Sequence, residues 1–302
     1  MADSSTRIAY DEFSMFADNA AEVGLPYAGP PTVRRERVEL PDGRWLSALV
    51  WGTGEPESVF LHGGGQNAHT WDTVALALGR PLVALDLPGH GHSGPAKGSA
   101  TDTRTNAPDI AAAVRTLAPK ARGVVGMSLG GMTTLALLEH APELVHRAVV
   151  VDVTPGVDGP KSKLISDFIN GPESFPNFDE ILARTIQYNP TRTESSLRRG
   201  ILHNAEQQDD GSWVWRYRRF SDIGAGARPD FGSLWSAVDG LTRPALLVRG
   251  MRSESVVDDA DEAEWLRRSS YASVVHVQEA GHSLQGDTPL EFARIVSDFL
   301  YP

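Results

Sequence analysis

Ser128 stands in Val124-Val125-Gly126-Met127-Ser128-Leu129-Gly130-Gly131, a Gly-x-Ser-x-Gly run between an apolar stretch and a segment with helical spacing. A serine hydroxyl is a weak nucleophile until its backbone presents it in the open and a base takes its proton. A strand–turn–helix context meets the first condition. The turn must be so tight that the residues two before and two after the serine nearly touch, and glycine at 126 and 130 removes side chains that would collide. The helix behind the serine aims its first N–H groups at the same point. Five residues of common types say little alone; their place between strand and helix gives them meaning.

The base needs an ionisation near neutrality, and imidazole, at about 6.5, has one. Of nine histidines, His282 in Glu279-Ala280-Gly281-His282-Ser283 is the one directly after the last predicted strand. A third segment, Leu61-His62-Gly63-Gly64-Gly65-Gln66-Asn67, brings glycine-lined backbone to the end of another strand. Attack on a carbonyl creates an oxyanion that requires preorganised N–H donors, and such a loop can supply one. It lacks the Gly-Lys-Ser/Thr of a phosphate-binding loop. His62 is expected to hold the loop; Asn67, His69 and Trp71 are candidates for the substrate pocket.

These residues need a scaffold. Residues 1–31 read as an N-terminal extension with a helix near Tyr10–Val23. Thr32–Leu40 and Trp45–Trp51 read as a hairpin across Pro41-Asp42-Gly43. Buried strands follow at Ser58–Leu61, Pro81–Asp86, Gly123–Gly126 and Ala148–Val153, separated by helices at Thr70–Leu78, Thr105–Leu117 and Leu129–His140. Such alternation implies an α/β fold with a parallel sheet and helices on both faces. It breaks over residues 155–243, where no buried strand is evident and Trp213, Trp215, Tyr217, Phe220 and Trp235 cluster. It resumes with strands at Ala245–Arg249 and Val274–Gln278 and helices at Asp259–Arg268 and Pro289–Leu300. The middle block thus reads as an insertion between two strands of one sheet.

The serine elbow and its surroundings resemble the α/β-hydrolase superfamily, over about residues 32–154 and 244–302. The resemblance implies a mostly parallel eight-stranded sheet carrying the catalytic loops along one edge, with residues 155–243 as a mainly helical cap. It implies the order nucleophile, acid, base, so Ser128 and His282 are the expected nucleophile and base. The oxyanion donors it implies are the N–H groups of Gly64 and Leu129. The acid is open between two positions. The usual loop follows Ala245–Arg249, where Glu254 is the carboxylate, a departure from the more frequent Asp; the rival is Asp152, at the end of Val149-Val150-Val151. Glu254 is preferred. Asp258 and Asp259 read as helix caps.

Charge and composition narrow the partners. A formal net charge of −11 repels phosphate backbones and anionic membranes. With no cysteine, thiolate chemistry and disulfides are excluded. No signal-like or membrane-spanning apolar run is present, and a cytoplasmic monomer or homodimer is expected. His90-Gly91-His92 lacks metal-ligand spacing, and no Gly-x-Gly-x-x-Gly opens a helix after the first parallel strand, so neither metal nor cofactor is expected. The aromatic middle block, Trp213 and Trp215 included, suggests a mostly apolar small-molecule substrate, with an ester or lactone first. The alternatives are carbon–carbon cleavage of a diketone, a small-molecule receptor on the same fold, and a non-hydrolytic enzyme.

Overall fold

The computed structural model describes residues 7–217 and 230–302. In chain order the elements begin with helix α1 (Phe16–Glu22), strands β1 (Val33–Glu39), β2 (Trp45–Trp51) and β3 (Ser58–Leu61), helix α2 (Asp72–Leu78) and β4 (Leu82–Leu85). Next come α3 (Thr103–Leu117), β5 (Gly123–Met127), α4 (Leu129–His140) and β6 (Ala148–Val151). The middle block holds α5 (Lys163–Ile169), β7 (Ser174–Phe175), α6 (Phe178–Tyr188), α7 (Glu194–Asn204), β8 (Ala205–Gln207) and β9 (Trp213–Trp215). Then follow α8 (Trp235–Asp239), β10 (Ala245–Gly250), α9 (Asp259–Arg268), β11 (Ala272–Val277), α10 (Leu284–Asp287) and α11 (Pro289–Leu300).

Eight strands form one sheet in the order β1-β2-β4-β3-β5-β6-β10-β11. β1 and β2 pair antiparallel, as do β2 and β4; every later pair is parallel. The central strands are buried on both faces, which is why they read as continuous apolar runs. Side chains alternate between two layers: Ala148 and Val150 face the layer of α3, α4 and α8, while Val149 and Val151 face that of α2 and α11. The register sets Leu61 beside Gly126, Met127 beside Val151, and Val151 beside Val248. The carboxyl ends of β3, β5, β6 and β10 therefore finish level, where open α/β sheets place their ligand crevice.

The middle block has its own small core of Phe175, Phe178, Ile181, Leu182, Leu197, Ile201, Ala205 and Trp213. Its helices carry a three-stranded antiparallel sheet, β7-β9-β8, which the sequence did not reveal because each strand is two or three residues long. The end of the expected insertion behaves differently: Leu234, Ala237, Val238 and Leu241 pack into the main core beside α4. Phe220, one of the expected aromatic cluster, lies outside the described residues. Among the described residues no helix is long and apolar enough to cross a membrane.

Candidate active site

Strand β5 runs into Ser128, whose backbone takes φ 52° and ψ −116° before α4 begins. Among the described non-glycine residues only Ser128 and Asp152 have positive φ, Asp152 at 45°. A side chain there is strained, and such strain persists only where the surroundings impose it. For Ser128 the cause is visible in the glycines. A Cβ on Gly126 would overlap the Gly130 carbonyl, and one on Gly130 would overlap the carbonyl of Leu61. The Ser128 N–H donates to the Val151 carbonyl (3.1 Å), tying the elbow to β6.

His282 lies on the loop between β11 and α10, and Asp152 directly after β6. The two meet: His282 Nδ1 is 2.9 Å from Asp152 Oδ2. Asp152 is fully buried. Its Oδ1 accepts from the Gly250 N–H (2.9 Å) and the Ser255 hydroxyl (2.6 Å), and its Oδ2 also accepts from the Val256 N–H (3.1 Å). Four donors on one carboxylate compensate its loss of water. Because the carboxylate can only accept, Nδ1 carries the proton, and Nε2 is left as the acceptor. Nε2 is buried and has no hydrogen-bond partner among the described residues.

The structure brings Asp152, and not the preferred Glu254, to His282. Glu254 is exposed, and its side-chain partner is the neighbouring Ser253 hydroxyl at 3.2 Å. The loop after β10 contributes by folding the Val256 N–H and the Ser255 hydroxyl around Asp152. Glu254 points to the mouth of the cavity instead. Asp258 caps α9 in a reciprocal capping box with Asp261, as its sequence position suggested, and Asp259 follows as the helix's first residue.

Ser128 and His282 line one cavity of about 220 Å³, together with Gly63, Gly64 and Gly65. Gly63 can come close because a Cβ there would sit 2.5 Å from Met127 Sδ. Leu129 buries its side chain in the core and opens α4, where the first N–H groups have no intrahelical acceptor. His62 is buried and holds the loop as expected: its Nε2 accepts from the Leu87 N–H (2.9 Å), so its Nδ1 donates to the Gly63 carbonyl (2.7 Å). Burial pushes its pKa down, consistent with a neutral ring.

The expected pocket residues are not on this cavity's wall. Trp71 is fully buried between Phe60 and Phe292. Trp213 packs on Phe178, and Trp215 stacks on Tyr217 and meets Phe168 edge-on. Asn67 caps the turn at Ala68–Trp71 through His69 N–H and donates to the His203 carbonyl (3.0 Å) and Asn204 Oδ1 (3.1 Å). Asn204 in turn donates to the Gly65 carbonyl. These groups tie the glycine loop to the end of α7. The apolar wall comes instead from Leu164, Ile165, Phe168 and Ile169 of α5 and from Tyr188. Their helical spacing was legible, but in sequence it reads as an ordinary core-facing stripe.

One cluster gathers possible metal ligands: His69, Asp72 and His203 bring donor atoms within 4.8 Å of one another. The two rings stack at 3.8 Å and 11°, so their in-plane lone pairs run parallel and do not converge on one point. Burial opposes a charge on His69, but Asp72 (2.9 Å) and Glu12 (3.1 Å) outweigh it and raise its pKa to about 9. A doubly protonated ring offers no lone pair. The cluster is an ion network that fastens the N-terminal segment, through Glu12 and through Tyr10 on His203 Nδ1 (2.8 Å), to the core and to α7. His90 is buried and pushed down to about 3, chiefly by burial.

The chain belongs to the alpha/beta hydrolase family, whose model matches residues 59–295, a span that includes Ser128, Asp152 and His282. Its similarity reaches 43% identity over 297 residues with the esterase Rv0045c of Mycobacterium tuberculosis, covering 96% of both chains. A solved structure of that esterase superposes with a TM-score of 0.86 at 42% identity, covering 98% of this chain and all of the other. The sn-1-specific diacylglycerol lipase ABHD11 of Danio rerio is 26% identical, covering 81% of this chain and 78% of its own.

Proposed function

We propose that this protein is a serine esterase acting on small esters, with Ser128, His282 and Asp152 as its triad. The observation that carries the reading is the bond from His282 Nδ1 to the four-donor Asp152 carboxylate, in a histidine that shares a cavity with Ser128. In this reading Ser128 Oγ attacks the ester carbonyl while His282 Nε2 takes its proton. Asp152 keeps the imidazole in the required tautomer and balances the imidazolium that forms. The N–H groups of Gly64 and Leu129 receive the oxyanion. The tetrahedral intermediate collapses to an acyl-enzyme as His282 returns the proton to the departing alcohol. Water then attacks the acyl carbon, with His282 again the base, and the carboxylic acid leaves.

The similarity to an esterase along nearly the full chain supports ester cleavage as the reaction. Residues 155–217, with α5 over the cavity, act as the cap that shapes the substrate pocket, and the apolar α5 wall suits an organic acyl or alcohol group. The cysteine-free sequence suits a reducing compartment such as the cytoplasm. The test is covalent labelling by a fluorophosphonate, read by intact mass, with hydrolysis of 4-nitrophenyl butyrate alongside. One label on wild type, none on Ser128→Ala, and turnover by wild type alone are expected. A folded wild type that neither labels nor turns over would overturn the proposal in favour of a ligand-binding role.

A further inference from the structure

The catalytic cavity is lined by three cations, Lys161, Arg192 and Arg252. Two of them are neutralised. Lys161 pairs with Asp258 (2.8 Å) and Asp261 (2.7 Å), and Arg252 with Glu279 (2.7 Å). Arg192 is different: among the described residues no carboxylate oxygen lies within 4.0 Å of its guanidinium. The carboxylates that influence it most are Asp287 and Glu22. Asp287 accepts from the Gly281 N–H (3.0 Å), and Glu22 is taken by Arg199 and the Thr193 hydroxyl. The side-chain partner of Arg192 is a neutral hydroxyl, Ser196 Oγ. Its guanidinium lies against Gly286, where a Cβ would collide with Nη1, so a glycine makes room for it.

A guanidinium does not shed its proton in proteins, so this charge cannot be relieved by deprotonation. It is half-buried, and desolvation is the main influence on it. An unpaired charge withdrawn from water is costly, and it is retained where something anionic arrives to meet it. Building on the esterase reading above, we propose that Arg192 is a subsite for a carboxylate carried by the ester substrate, so that the preferred substrates are esters bearing one free carboxylate. A planar carboxylate matches the flat fork of a guanidinium and can take two parallel hydrogen bonds from it. A phosphate dianion fits less well: Lys161 and Arg252 are already neutralised, and Glu254 and Asp287 share the wall. The subsite sits beside α10, the short helix that follows His282, and so within the same chamber as the reacting bond.

The test compares wild type, Arg192→Gln and Arg192→Lys on two matched panels. The first sets 4-nitrophenyl hemiesters of glutaric, adipic and suberic acid against 4-nitrophenyl alkanoates of equal length. The second sets butyryl esters of ω-hydroxy acids against butyl butyrate. For at least one carboxylate member, Arg192→Gln should lower the charged-to-neutral ratio of kcat/KM by roughly 10–150-fold, the worth of a hydrogen bond to a charged group. Much of that loss should appear in KM, and Arg192→Lys should recover part of it. The melting temperature of Arg192→Gln should stay level or rise, because an unpaired charge has been removed. Equal losses on charged and neutral esters, or an unchanged ratio throughout both panels, would overturn the subsite while leaving the esterase reading standing. Absence of any Ser128-dependent hydrolysis would instead defeat the esterase reading, and the subsite with it.

Discussion

Replacing Asp152 by Asn tests the triad most sharply, because the structure fixes what the amide must do. The carboxylate accepts four hydrogen bonds, two on each oxygen: Gly250 N–H and Ser255 hydroxyl on Oδ1, Val256 N–H and His282 Nδ1–H on Oδ2. An amide presents one accepting oxygen and one donating nitrogen. With nitrogen toward His282, Nδ1 must become the acceptor, and Nε2 then carries the proton and cannot take one from Ser128. Each orientation orphans one backbone donor at a cost of about 1–3 kcal/mol: the Val256 N–H with nitrogen toward His282, the Gly250 N–H with nitrogen on the other side. The first arrangement holds the inactive tautomer, and neither supplies the negative charge that balances the imidazolium. Asp152→Asn should therefore lower kcat by roughly 10³–10⁴, the effect known when a triad aspartate loses its charge, or about 4–5.5 kcal/mol. Glu254→Gln alters one exposed group that touches a neighbouring hydroxyl, and should stay within about threefold. Steady-state hydrolysis of 4-nitrophenyl butyrate, with circular dichroism to verify folding, separates the two. Near-normal turnover in Asp152→Asn beside a hundredfold loss in Glu254→Gln would refute the reasoning.

Gly126→Ala should not yield native enzyme, since its methyl overlaps the Gly130 carbonyl; a loss of roughly 4 kcal/mol or more is expected in chemical denaturation. Asn204→Ala removes the tie between α7 and the Gly65 carbonyl and should lower kcat roughly tenfold, less than outright loss of an oxyanion donor, with fluorophosphonate labelling slowed in step. Stability should peak near pH 6.5. Above it, His69 stays protonated in the folded protein up to about 9 but not in the unfolded chain, so stability falls as pH rises. Below it, His203, driven well down by burial and the His69 cation, resists the proton the unfolded chain accepts, so stability falls as pH drops. Thermal melts from pH 5 to 9 should show both slopes, and His69→Gln should flatten the alkaline one.

Much of the scaffold was legible because its strands and helices repeat one simple pattern. The limits of β2, β3, α4, α9 and α11 follow the sequence reading residue for residue, since each is an apolar run or stripe bounded by turn residues. The reading misplaced what depends on approach across the chain. Trp71, Trp213 and Trp215 were weighed by aromatic type, but aromatic bulk is equally what fills a core, and packing consumed all three. Asn67 was placed near the pocket by its loop, and its side chain instead binds α7. The order of Glu254 and Asp152 turned on the direction of side chains leaving two adjacent strands. The positive φ of Asp152, which swings its carboxylate under the loop after β10, has no signature in Val-Val-Val-Asp-Val. Arg192 escaped notice because an arginine in a polar connection looks like any solvated charge until its missing counter-ion is seen.

The last residue of β10 and the loop after it hold Asp152 with the N–H groups of Gly250 and Val256 and one hydroxyl, Ser255. Main-chain donors are the same whatever residue bears them. The side chains of Arg252, Ser253 and Glu254, which face the cavity mouth, are consequently free to change without disturbing the Asp152 carboxylate. An enzyme whose acid stood on Glu254 would have to conserve that loop; with the proposed triad it is open ground for selection. Randomising those three positions is a route to new ester preferences in which the chemical machinery is left whole.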